Sequence, residues 1–326
     1  MKIFVTGVAG YIGGSFSYRM LTDSCHVIGI DNFSNSSLNT VEALTKKFPN
    51  NFSFVEADIR NSDQLDEVFA KNTDIDYFFH FAALKNIYES QLQPEKYIAN
   101  NIDGTRNLIS SMKKYGFNNL IFSSSAAVYG EQEIQPVSEI LQPSPKSIYA
   151  KTKLECEQLL EYEYQESQFN SISLRYFNPM GICKNSNISC TFSGSLIGSL
   201  LKSAHDPSHV TTIYGSDYQT KDGTGERDYI HIEDIISGHL AALKYIKTNK
   251  GNHIFNLGTG KSYSVLEVIK SFESTINKKI NIEIGDRRDG DIAKNYADTS
   301  QANKQLKWKA IYNLKDMCKD TWEANN

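Results

Sequence analysis

Two residues in the middle of the chain, Tyr149 and Lys153, have the types and the spacing of an acid/base pair. A free tyrosine hydroxyl has a pKa of about 10, so it is a poor base at neutral pH unless a nearby positive charge stabilises its phenolate. On one helix, residues four apart lie on the same face, so the lysine ammonium can lie close to the tyrosine oxygen. The pair is predicted to move a proton, although a solvent-facing helix surface carries the same spacing without any chemistry.

Three glycines near the start of the chain have the arrangement of a dinucleotide-phosphate cradle. Gly7, Gly10 and Gly13 stand three residues apart, between an apolar strand pattern and a helix pattern. The first permits a tight turn, the second lets backbone approach a pyrophosphate, and the third allows close packing of helix on strand. The helix N-terminus favours the phosphate charge. A tight turn without a ligand is the alternative.

Asp31 ends the second predicted strand about twenty residues further on, where a carboxylate accepts hydrogen bonds from ribose hydroxyls and repels a 2′-phosphate. NAD is therefore predicted over NADP, the alternative being a turn cap for the residues that follow. Two further strand ends are predicted to pass close to the cofactor, although each also fits an ordinary strand end in a packed sheet: Asp58 with Ile59, and Phe81 with Ala82 and Ala83.

Short apolar runs alternate with helix-length amphipathic segments in the first half of the chain. The predicted strands cover Lys2–Thr6, His26–Asp31 and residues 52–57, 77–81, 120–124 and 171–175, with later ones at 253–257 and 280–284. The clearest helices cover residues 61–70, 94–115 and 147–168, although Pro94 and the stretch 101–104 complicate the middle one.

This alternation predicts an α/β fold, a Rossmann-type doubly wound parallel sheet with a smaller α/β substrate-binding lobe. Residues 1–177 are expected to form the NAD-binding domain. Residues 178–326 are expected to form mainly the substrate-binding domain, with the chain returning to the first domain around 229–260.

Composition argues against several kinds of partner. The 326 residues carry a net charge of −4 and no Lys/Arg run interleaved with aromatic residues, so no nucleic-acid partner is expected. No uninterrupted apolar stretch of about 18 residues is present, so no membrane partner is expected. The five cysteines form no Cys-x-x-Cys pair and have no histidine at metal-ligand spacing. A reduced, cytoplasmic protein without a metal is predicted, with a Cys183–Cys190 disulfide as the alternative.

Several dispersed motifs follow one another from Met1 to about Trp322. They are Gly10-Tyr11-Ile12-Gly13, Asp31-Asn32 with Asn35-Ser36, His80-Phe81-Ala82-Ala83-Leu84-Lys85, the stretch from Ser123 to Gly130, Arg175-Tyr176-Phe177-Asn178-Pro179, and the stretch from Asp222 to His231. Together with Tyr-x-x-x-Lys, they resemble the extended short-chain dehydrogenase/reductase family and, within it, the nucleotide-sugar 4-epimerases.

The resemblance implies three sets of site residues. The catalytic set is Tyr149, Lys153 and Ser125. The NAD set is Gly7, Gly10, Tyr11, Ile12, Gly13, Asp31, Asn32, Phe33, Ser34, Asn35, Ser36, Asp58, Ile59, Phe81, Ala82, Ala83, Leu84, Lys85, Asn100, Ser123, Tyr149, Lys153 and Phe177. The nucleotide-sugar set is Lys85, Ser125, Tyr149, Asn178, Ser195, Thr212, Ile213, Tyr214, Arg227, Arg288, Asp291 and Asn295.

The reaction that the resemblance implies is an NAD-dependent 4-epimerisation of a nucleotide-diphosphate hexose through a 4-keto sugar. Tyr149 removes the proton of the 4-hydroxyl, Ser125 bonds the 4-oxygen, and Arg227 and Arg288 clamp the diphosphate with forked donors. UDP-glucose and UDP-galactose are expected as substrates, together with or in place of their N-acetylated forms. The resemblance also implies an isomerase that is a homodimer.

Two positions depart from the family. The loop over residues 183–203 is rewritten, and Asn295 stands where hexose-only members carry tyrosine, which leaves room beside the C2 substituent of the sugar. The alternatives are a 4,6-dehydratase, a decarboxylase, a reductase, or a non-catalytic NAD-binding protein. A dehydratase would carry an Asp-Glu pair where Ala126 and Ala127 stand, and Asp31 disfavours the NADPH of a reductase.

Overall fold

The computed structural model describes residues 1–186, 188, 192, 194–288 and 290–326. Its strands in chain order are β1 (Lys2–Thr6), β2 (His26–Asp31), β3 (Phe52–Glu56), β4 (Tyr77–His80), β5 (Asn119–Ser125), β6 (Asn170–Tyr176), β7 (Asn178–Met180), β8 (Thr211–Tyr214), β9 (Glu226–Arg227), β10 (Tyr229–His231), β11 (Asn252–Leu257), β12 (Tyr263–Ser264), β13 (Ile282–Gly285) and β14 (Lys294–Asn295). The predicted strands are confirmed, with ends shifted by one or two residues.

The central sheet has the order β11-β6-β5-β4-β1-β2-β3, with seven strands in the described part of the chain and every neighbouring pair parallel. The predicted doubly wound parallel sheet is confirmed. Its carboxyl edge brings together the ends of β1, β2, β4 and β5, and ligands bind at this edge in open α/β sheets.

Alternation along β1 explains why both faces of this sheet are covered. Ile3 and Val5 belong to one buried cluster, which also contains Phe79, whereas Phe4 belongs to a second cluster with Phe78. Successive side chains of a strand point to opposite faces. A run of apolar residues therefore fills two hydrophobic layers, one on each side of the sheet.

The helices that cover the sheet and the smaller lobe are α1 (Tyr11–Thr22), α2 (Leu38–Lys47), α3 (Ser62–Ala70), α4 (Ile87–Leu92), α5 (Pro94–Tyr97), α6 (Gly104–Lys114), α7 (Ile148–Ser167), α8 (Leu196–His205), α9 (Ile232–Ile246), α10 (Val265–Ile276) and α11 (Leu314–Glu323). The predicted helix over 94–115 is not uniform, because a π-helical segment, Ile98–Asp103, separates α5 from α6. Pro94 begins α5, where its missing N–H has no helical partner to lose.

Helix α7 begins and ends where the sequence predicts. The Ser147 hydroxyl accepts a hydrogen bond from the Ala150 N–H, which caps the first turn. Gln168 adopts a left-handed conformation after the last turn. Tyr149 and Lys153 consequently lie on the first two turns of a 20-residue helix.

Smaller sheets lie outside the central one. β7 pairs with β10, β12 and β14 flank β9, and β8 pairs with β13. A third buried cluster, containing Met180, Leu200, Ile213 and Phe272, lies beneath them. β11, in contrast, pairs with β6 in the central sheet, so the chain returns to that sheet after β10.

Within the described residues, no helix is both long and apolar enough to cross a membrane. The same residues contain no cluster of three or more His, Cys, Asp or Glu side chains that would hold a metal ion. Cys25, Cys156, Cys183 and Cys318 are buried free thiols. The alternative of a Cys183–Cys190 disulfide lies outside the described residues, since Cys190 is not among them.

Candidate active site

Tyr149 and Ser125 meet where the end of β5 contacts the first turn of α7. Their hydroxyl groups share a hydrogen bond, and Tyr149 is half-buried. Burial raises the pKa of the Tyr149 phenol above its ordinary value, and the bond with Ser125 opposes this shift without cancelling it. The Ser125 hydroxyl oxygen also accepts a hydrogen bond from the Ala127 N–H at 3.2 Å, which orients it.

Lys153 lies one turn beyond Tyr149 and is 3% exposed. Its ammonium group donates to the Ser123 carbonyl at 2.7 Å and lies 4.7 Å from the centre of the Phe122 ring. Burial lowers the pKa of Lys153 to about 8. The sequence predicts that Lys153 lowers the pKa of Tyr149, whereas the structure has that pKa raised. A buried ammonium needs an acceptor, and here the acceptor is a backbone carbonyl.

Three consecutive serines of β5 each contact α7. The Ser123 carbonyl bonds Lys153, the Ser124 hydroxyl donates to the Glu157 carboxylate, and the Ser125 hydroxyl bonds Tyr149. The helix residues are four apart, so they present one face to the strand. The end of β5 is therefore fixed to the helix that carries the acid/base pair.

Glu157 also binds Arg175, on the neighbouring strand β6, through two hydrogen bonds. Arg175 Nε and Nη2 donate to the two carboxylate oxygens at 2.9 and 2.6 Å. Both side chains are nearly inaccessible, and the guanidinium group lies 4.8 Å from the centre of the Tyr129 ring. This buried pair joins β6 to α7 directly beneath the site.

The glycine turn between β1 and α1 is as tight as predicted. Gly7 has φ +71°, and a Cβ added there would lie 2.7 Å from the Ala82 nitrogen. A Cβ added at Gly13 would lie 2.2 Å from the Gly7 carbonyl oxygen, so helix and turn are in close contact. The turn therefore needs glycine at both positions, and it brings the N-terminus of α1 to the carboxyl edge of the sheet.

A cleft with about 340 Å³ of empty space opens beside this turn. Most of its lining was predicted from the sequence, and Ile30 and Ala57 complete it: Gly7, Ile30, Asp31, Asn32, Ser34, Asn35, Ala57, Ile59, Ala82, Ala83 and Asn100.

The Asp31 carboxylate organises one wall of the cleft. It accepts hydrogen bonds from the N–H groups of Ala9 and Phe33, at 3.0 and 2.9 Å, and from the Ser36 hydroxyl at 2.7 Å. A carboxylate has about four lone-pair sites, so a further donor in the cleft can bind. Phe33 has a left-handed backbone with φ +55°, which is the conformation in which its N–H reaches Asp31.

Two amide side chains tie the walls of the cleft together. Asn32 donates to the Asp58 carboxylate at 2.9 Å, and Asn35 donates to the Ala83 carbonyl at 3.1 Å. Asp58 also binds Arg60, and this hydrogen bond lowers the pKa of Asp58 to about 2. Asp58 is therefore an anion at neutral pH, close to where the resemblance places the adenosine.

These features fit a dinucleotide such as NAD. The turn offers backbone and a helix N-terminus to a pyrophosphate, and Asp31 offers carboxylate oxygens to a ribose. Other predicted cofactor residues are not part of the lining of this cleft: Gly10, Tyr11 and Ile12 on the turn and the start of α1, Leu84 and exposed Lys85 after β4, Ser123 on β5 and buried Phe177 after β6.

Two of the residues predicted for the sugar nucleotide are arginines: Arg227 lies on β9, and Arg288 follows β13. Arg227, on β9, forms an ion pair with Asp291. The Arg288 guanidinium lies 3.7 Å from the centre of the Tyr214 ring. Asn295, on β14, pairs in register with Arg227. Asn295 is 8% exposed, and its Oδ1 has no hydrogen-bond partner in the described part of the chain.

The remaining residues predicted for the sugar nucleotide already have partners within the protein. The Ser195 hydroxyl donates to the Phe192 carbonyl and caps α8, and Thr212 donates to Glu283. Ile213 is 2% exposed, so its side chain packs in the core. Asn178, at the start of β7, is exposed and donates its N–H to the Asp228 carbonyl.

Sequence reasoning missed Asp228, which holds the strands of the substrate side together. Its fully buried carboxylate accepts hydrogen bonds from Thr259, Gly260 and Ala297. These partners lie after β11 and after β14, so one side chain aligns the elements that carry Arg227 and Asn295. The signal available in sequence was only an acidic residue between two strand-forming runs.

The chain is similar to proteins of known family. Residues 3–258 match the model of a family described as NAD dependent epimerase/dehydratase family. The chain is 40% identical to the UDP-glucose 4-epimerase of Bacillus subtilis over 99% of its length and 96% of the relative's.

Two solved structures are also similar. One is the UDP-glucose 4-epimerase of Stenotrophomonas maltophila with bound NAD and formylated UDP-arabinopyranose. It has a TM-score of 0.94 and 38% sequence identity to this chain, and the match covers 100% of this chain and 98% of that one. The UDP-Glc/GlcNAc 4-epimerase of Campylobacter jejuni has a TM-score of 0.86 and 34% identity, with 99% of this chain and 98% of that one covered.

Proposed function

The chain belongs to the NAD dependent epimerase/dehydratase family, and on that premise we propose that it is an NAD-dependent isomerase that inverts C4 of a UDP-linked sugar. The observation that carries the proposal is the hydrogen bond between Ser125 and Tyr149, at the edge of the sheet that also holds the glycine turn and Asp31. A proton acceptor thus lies at the same edge as a dinucleotide cleft.

In the reaction, Tyr149 is the group that takes the proton of the 4-hydroxyl and later returns it. Ser125 holds the 4-oxygen through its hydroxyl, which is oriented by the Ala127 N–H. The residues that line the cleft beside the glycine turn would hold NAD, which would supply a reversible hydride acceptor for C4 and a positive charge beside Tyr149. Lys153 keeps the end of β5 in place and contributes its own charge below a pH of about 8.

Burial explains why the positive charges matter. The pKa of Tyr149 is raised above its ordinary value, so without a bound cation the side chain is a protonated phenol at neutral pH and cannot accept a proton. A cation close to the phenolate oxygen favours the deprotonated form. General-base catalysis is most effective when the pKa of the base lies near the working pH. We infer that the phenolate forms in the loaded enzyme.

The two arginines are proposed as anchors for the diphosphate. Arg227 and Arg288 offer guanidinium groups, which bind phosphate oxygens with paired donors. In the structure, Asp291 and Tyr214 hold them. An anchored diphosphate allows the oxidised sugar to turn about its link and present its other face. Residues 178–326 supply these anchors and are proposed as mainly the substrate-binding domain, with residues 1–177 as the NAD-binding domain.

Substrate choice is proposed to include N-acetylated sugars. Asn295 is smaller than tyrosine, and its buried Oδ1 lacks a partner among the described residues. A buried unpaired amide oxygen is costly, so a donor such as the N–H of a 2-acetamido group stabilises it. The similarity to a UDP-Glc/GlcNAc 4-epimerase supports this choice.

A homodimer is proposed, with contacts through α4, the π-helical segment and α7. Apolar side chains are exposed on these elements, among them Tyr88, Leu92, Ile98 and Tyr162. Exposed apolar side chains on these elements are the surface that a second copy of the chain would cover. A cytoplasmic location is proposed from the buried free thiols, since reduced cysteines are typical of a reducing compartment.

The test is a panel of UDP-sugars incubated with the purified protein and followed by proton NMR of the C4 configuration. Inversion of UDP-glucose and of UDP-N-acetylglucosamine is expected. Asn295→Tyr should keep the first activity and lose the second. Loss of water from the sugar would identify a 4,6-dehydratase, and bound NAD without conversion of any sugar would indicate a binding protein.

A further inference from the structure

Gln135 lies in the segment of residues 130–146, which leads from the end of β5 to the start of α7. Its side chain is half-buried and bonds the strand that carries Asn295, far along the chain. Gln135 Nε2 donates to the Lys294 carbonyl at 3.1 Å, and Gln135 Oε1 accepts from the Tyr296 N–H at 3.2 Å. One side-chain amide thus binds the two peptide groups on either side of Asn295.

These two bonds continue a backbone ladder that begins two residues further along the segment. The Val137 N–H donates to the Tyr296 carbonyl at 2.9 Å, and the Asp298 N–H donates to the Val137 carbonyl at 2.8 Å. Together they form a parallel bridge between Val137 and Ala297. The next pair of bonds in a parallel ladder would join the backbone N–H and carbonyl of Gln135 to the same two partners that its side chain takes. The side-chain amide therefore replaces a peptide group in the ladder.

The opposite edge of the same strand pairs with β9. Asn295 lies in register with Arg227, and the Asp228 N–H donates to the Asn295 carbonyl at 3.1 Å. The backbone groups of successive residues in a strand point to opposite edges, so Asn295 bonds β9 while its two neighbours bond Gln135. The backbone of Asn295 is therefore held from both edges of its strand.

Asn295 is proposed to bind a 2-acetamido group through Oδ1, a buried oxygen without a hydrogen-bond partner among the described residues. The amide N–H of that group has a fixed direction, and a hydrogen bond needs a donor–acceptor distance of about 2.7–3.2 Å. A small shift of the Asn295 backbone therefore weakens the bond. A 2-hydroxyl, as in UDP-glucose, rotates to meet its acceptor and tolerates the same shift better. The position of Asn295 thus matters more for the N-acetylated sugar.

We propose that Gln135 is a positioning residue for substrate selection, which holds Asn295 where its Oδ1 meets the N–H of a 2-acetamido group. Gln135 is not required to touch the sugar. This role rests on the proposed function, since it matters only if Asn295 faces a UDP-linked sugar. A merely structural role would lower stability and change the turnover of both kinds of sugar alike.

Gln135→Leu replaces the amide with an apolar side chain of similar size and removes both hydrogen bonds to the strand. A neutral hydrogen bond contributes up to about tenfold to an equilibrium, so kcat/KM with UDP-N-acetylglucosamine should fall by about tenfold. With UDP-glucose, kcat/KM should change by less than about twofold. Gln135→Glu keeps an acceptor for the Tyr296 N–H but cannot donate to the Lys294 carbonyl, so a fall of about threefold is expected with the N-acetylated sugar.

Gln132 offers a matched control in the same segment. It is also half-buried, and its Nε2 donates to the Tyr129 carbonyl at 2.7 Å and to the Gln142 carbonyl at 3.2 Å. Gln132→Leu therefore removes an amide that bonds two carbonyls without releasing Asn295. The Gln132 carbonyl, which accepts a longer bond from Gln135 at 3.4 Å, is unchanged by this substitution. The ratio of kcat/KM values for the two sugars should stay within about twofold of wild type, whatever the melting temperature.

A double-mutant cycle with Asn295→Ala tests whether Gln135 acts through Asn295. Asn295→Ala removes the amide that Gln135 is proposed to position. Gln135→Leu should therefore cause no further loss of kcat/KM with UDP-N-acetylglucosamine in the Asn295→Ala background. Independent losses that multiply would overturn the proposed role.

The experiment measures the melting temperature and kcat/KM with UDP-glucose and UDP-N-acetylglucosamine for wild type, Gln135→Leu, Gln135→Glu, Gln132→Leu, Asn295→Ala and Gln135→Leu/Asn295→Ala. A selective loss with the N-acetylated sugar in Gln135→Leu is expected. Equal losses with both sugars, or a ratio equal to that of Gln132→Leu, would overturn the role of Gln135. If Gln135→Leu fails to fold, Gln135→Glu decides the test.

The wild-type protein separates this role from the claims on which it rests. Inversion of UDP-glucose alone would refute the choice of N-acetylated substrates, and the role of Gln135 with it. No inversion of any UDP-sugar would instead refute the proposed function. Inversion of both sugars, with an unchanged ratio in Gln135→Leu, would leave the proposed function standing and refute the role of Gln135 alone.

Discussion

Mild acid should destabilise this protein in part through two of its buried histidines, His80 and His239. His80 is 1% exposed and lies between Thr6 and Thr105, and His239 is fully buried. His239 Nδ1 donates to the Ile235 carbonyl, and its Nε2 bonds the Tyr176 hydroxyl at 2.6 Å. Burial, together with the nearby charge of Lys153, lowers the pKa of His80 to about 3, and burial lowers that of His239 to about 4.

The sign and size of the effect follow from proton linkage. In the unfolded chain a histidine has a pKa of about 6.5, so below this pH the unfolded state binds protons that the folded state does not. The stability from each group is complete above pH 6.5 and is lost as the pH falls toward the folded pKa. Below pH 6.5, the contribution of each histidine to the free energy of unfolding falls by about 1.4 kcal/mol per pH unit, which is a loss of about 2 kcal/mol at pH 5.

Urea unfolding at about pH 7.5 and about pH 5 measures this loss. His239→Gln removes one of these titrating groups, so the pH dependence of its unfolding free energy should be smaller than that of wild type by about 2 kcal/mol. His26→Gln, at an exposed histidine, is the control and should behave as wild type. Equal pH dependence in wild type and His239→Gln would refute the reasoning.

Two further predictions concern the buried ion pair and the cofactor choice. Glu157→Leu should lower stability by about 3–5 kcal/mol, because Arg175 is left charged and 2% exposed, and Glu157→Leu/Arg175→Leu should recover most of it. Urea unfolding checks this, and a double variant less stable than the single one would contradict it. Asp31→Ala should weaken NAD binding and reduce the preference for NAD over NADP, and calorimetric titration with both cofactors measures this. An unchanged preference for NAD would contradict the assignment of Asp31 to the ribose.

Much of the fold was predictable because its signals are local. The strands of the central sheet are apolar runs whose alternate residues fill two layers, and each is bounded by polar or glycine residues. The glycine turn depends on a spacing of three, and the face of α7 that carries Tyr149 depends on a spacing of four. Asp31 was identified by its place at the end of β2. These features need no knowledge of contacts distant in sequence.

The unpredicted features depend on contacts between distant segments. Lys153 bonds the Ser123 carbonyl, thirty residues earlier in the chain, and no local pattern shows this. The π-helical segment Ile98–Asp103 has an ordinary helical pattern in sequence, and the hydrogen bonds of Asn101 to Leu84 and Thr152 join it to segments distant in the chain. Likewise, Asp228 is recognisable as an organising residue only after the loops that it binds are in place.

The central claim is that the Tyr149 hydroxyl is the proton acceptor for the 4-hydroxyl of the sugar. The direct measurement is the turnover of Tyr149→Phe with UDP-galactose, alongside its circular dichroism spectrum and its bound NAD. The fold and the NAD content should match wild type, while kcat falls by about 100- to 10,000-fold, the contribution typical of a general acid/base. Turnover within about tenfold of wild type would contradict the claim.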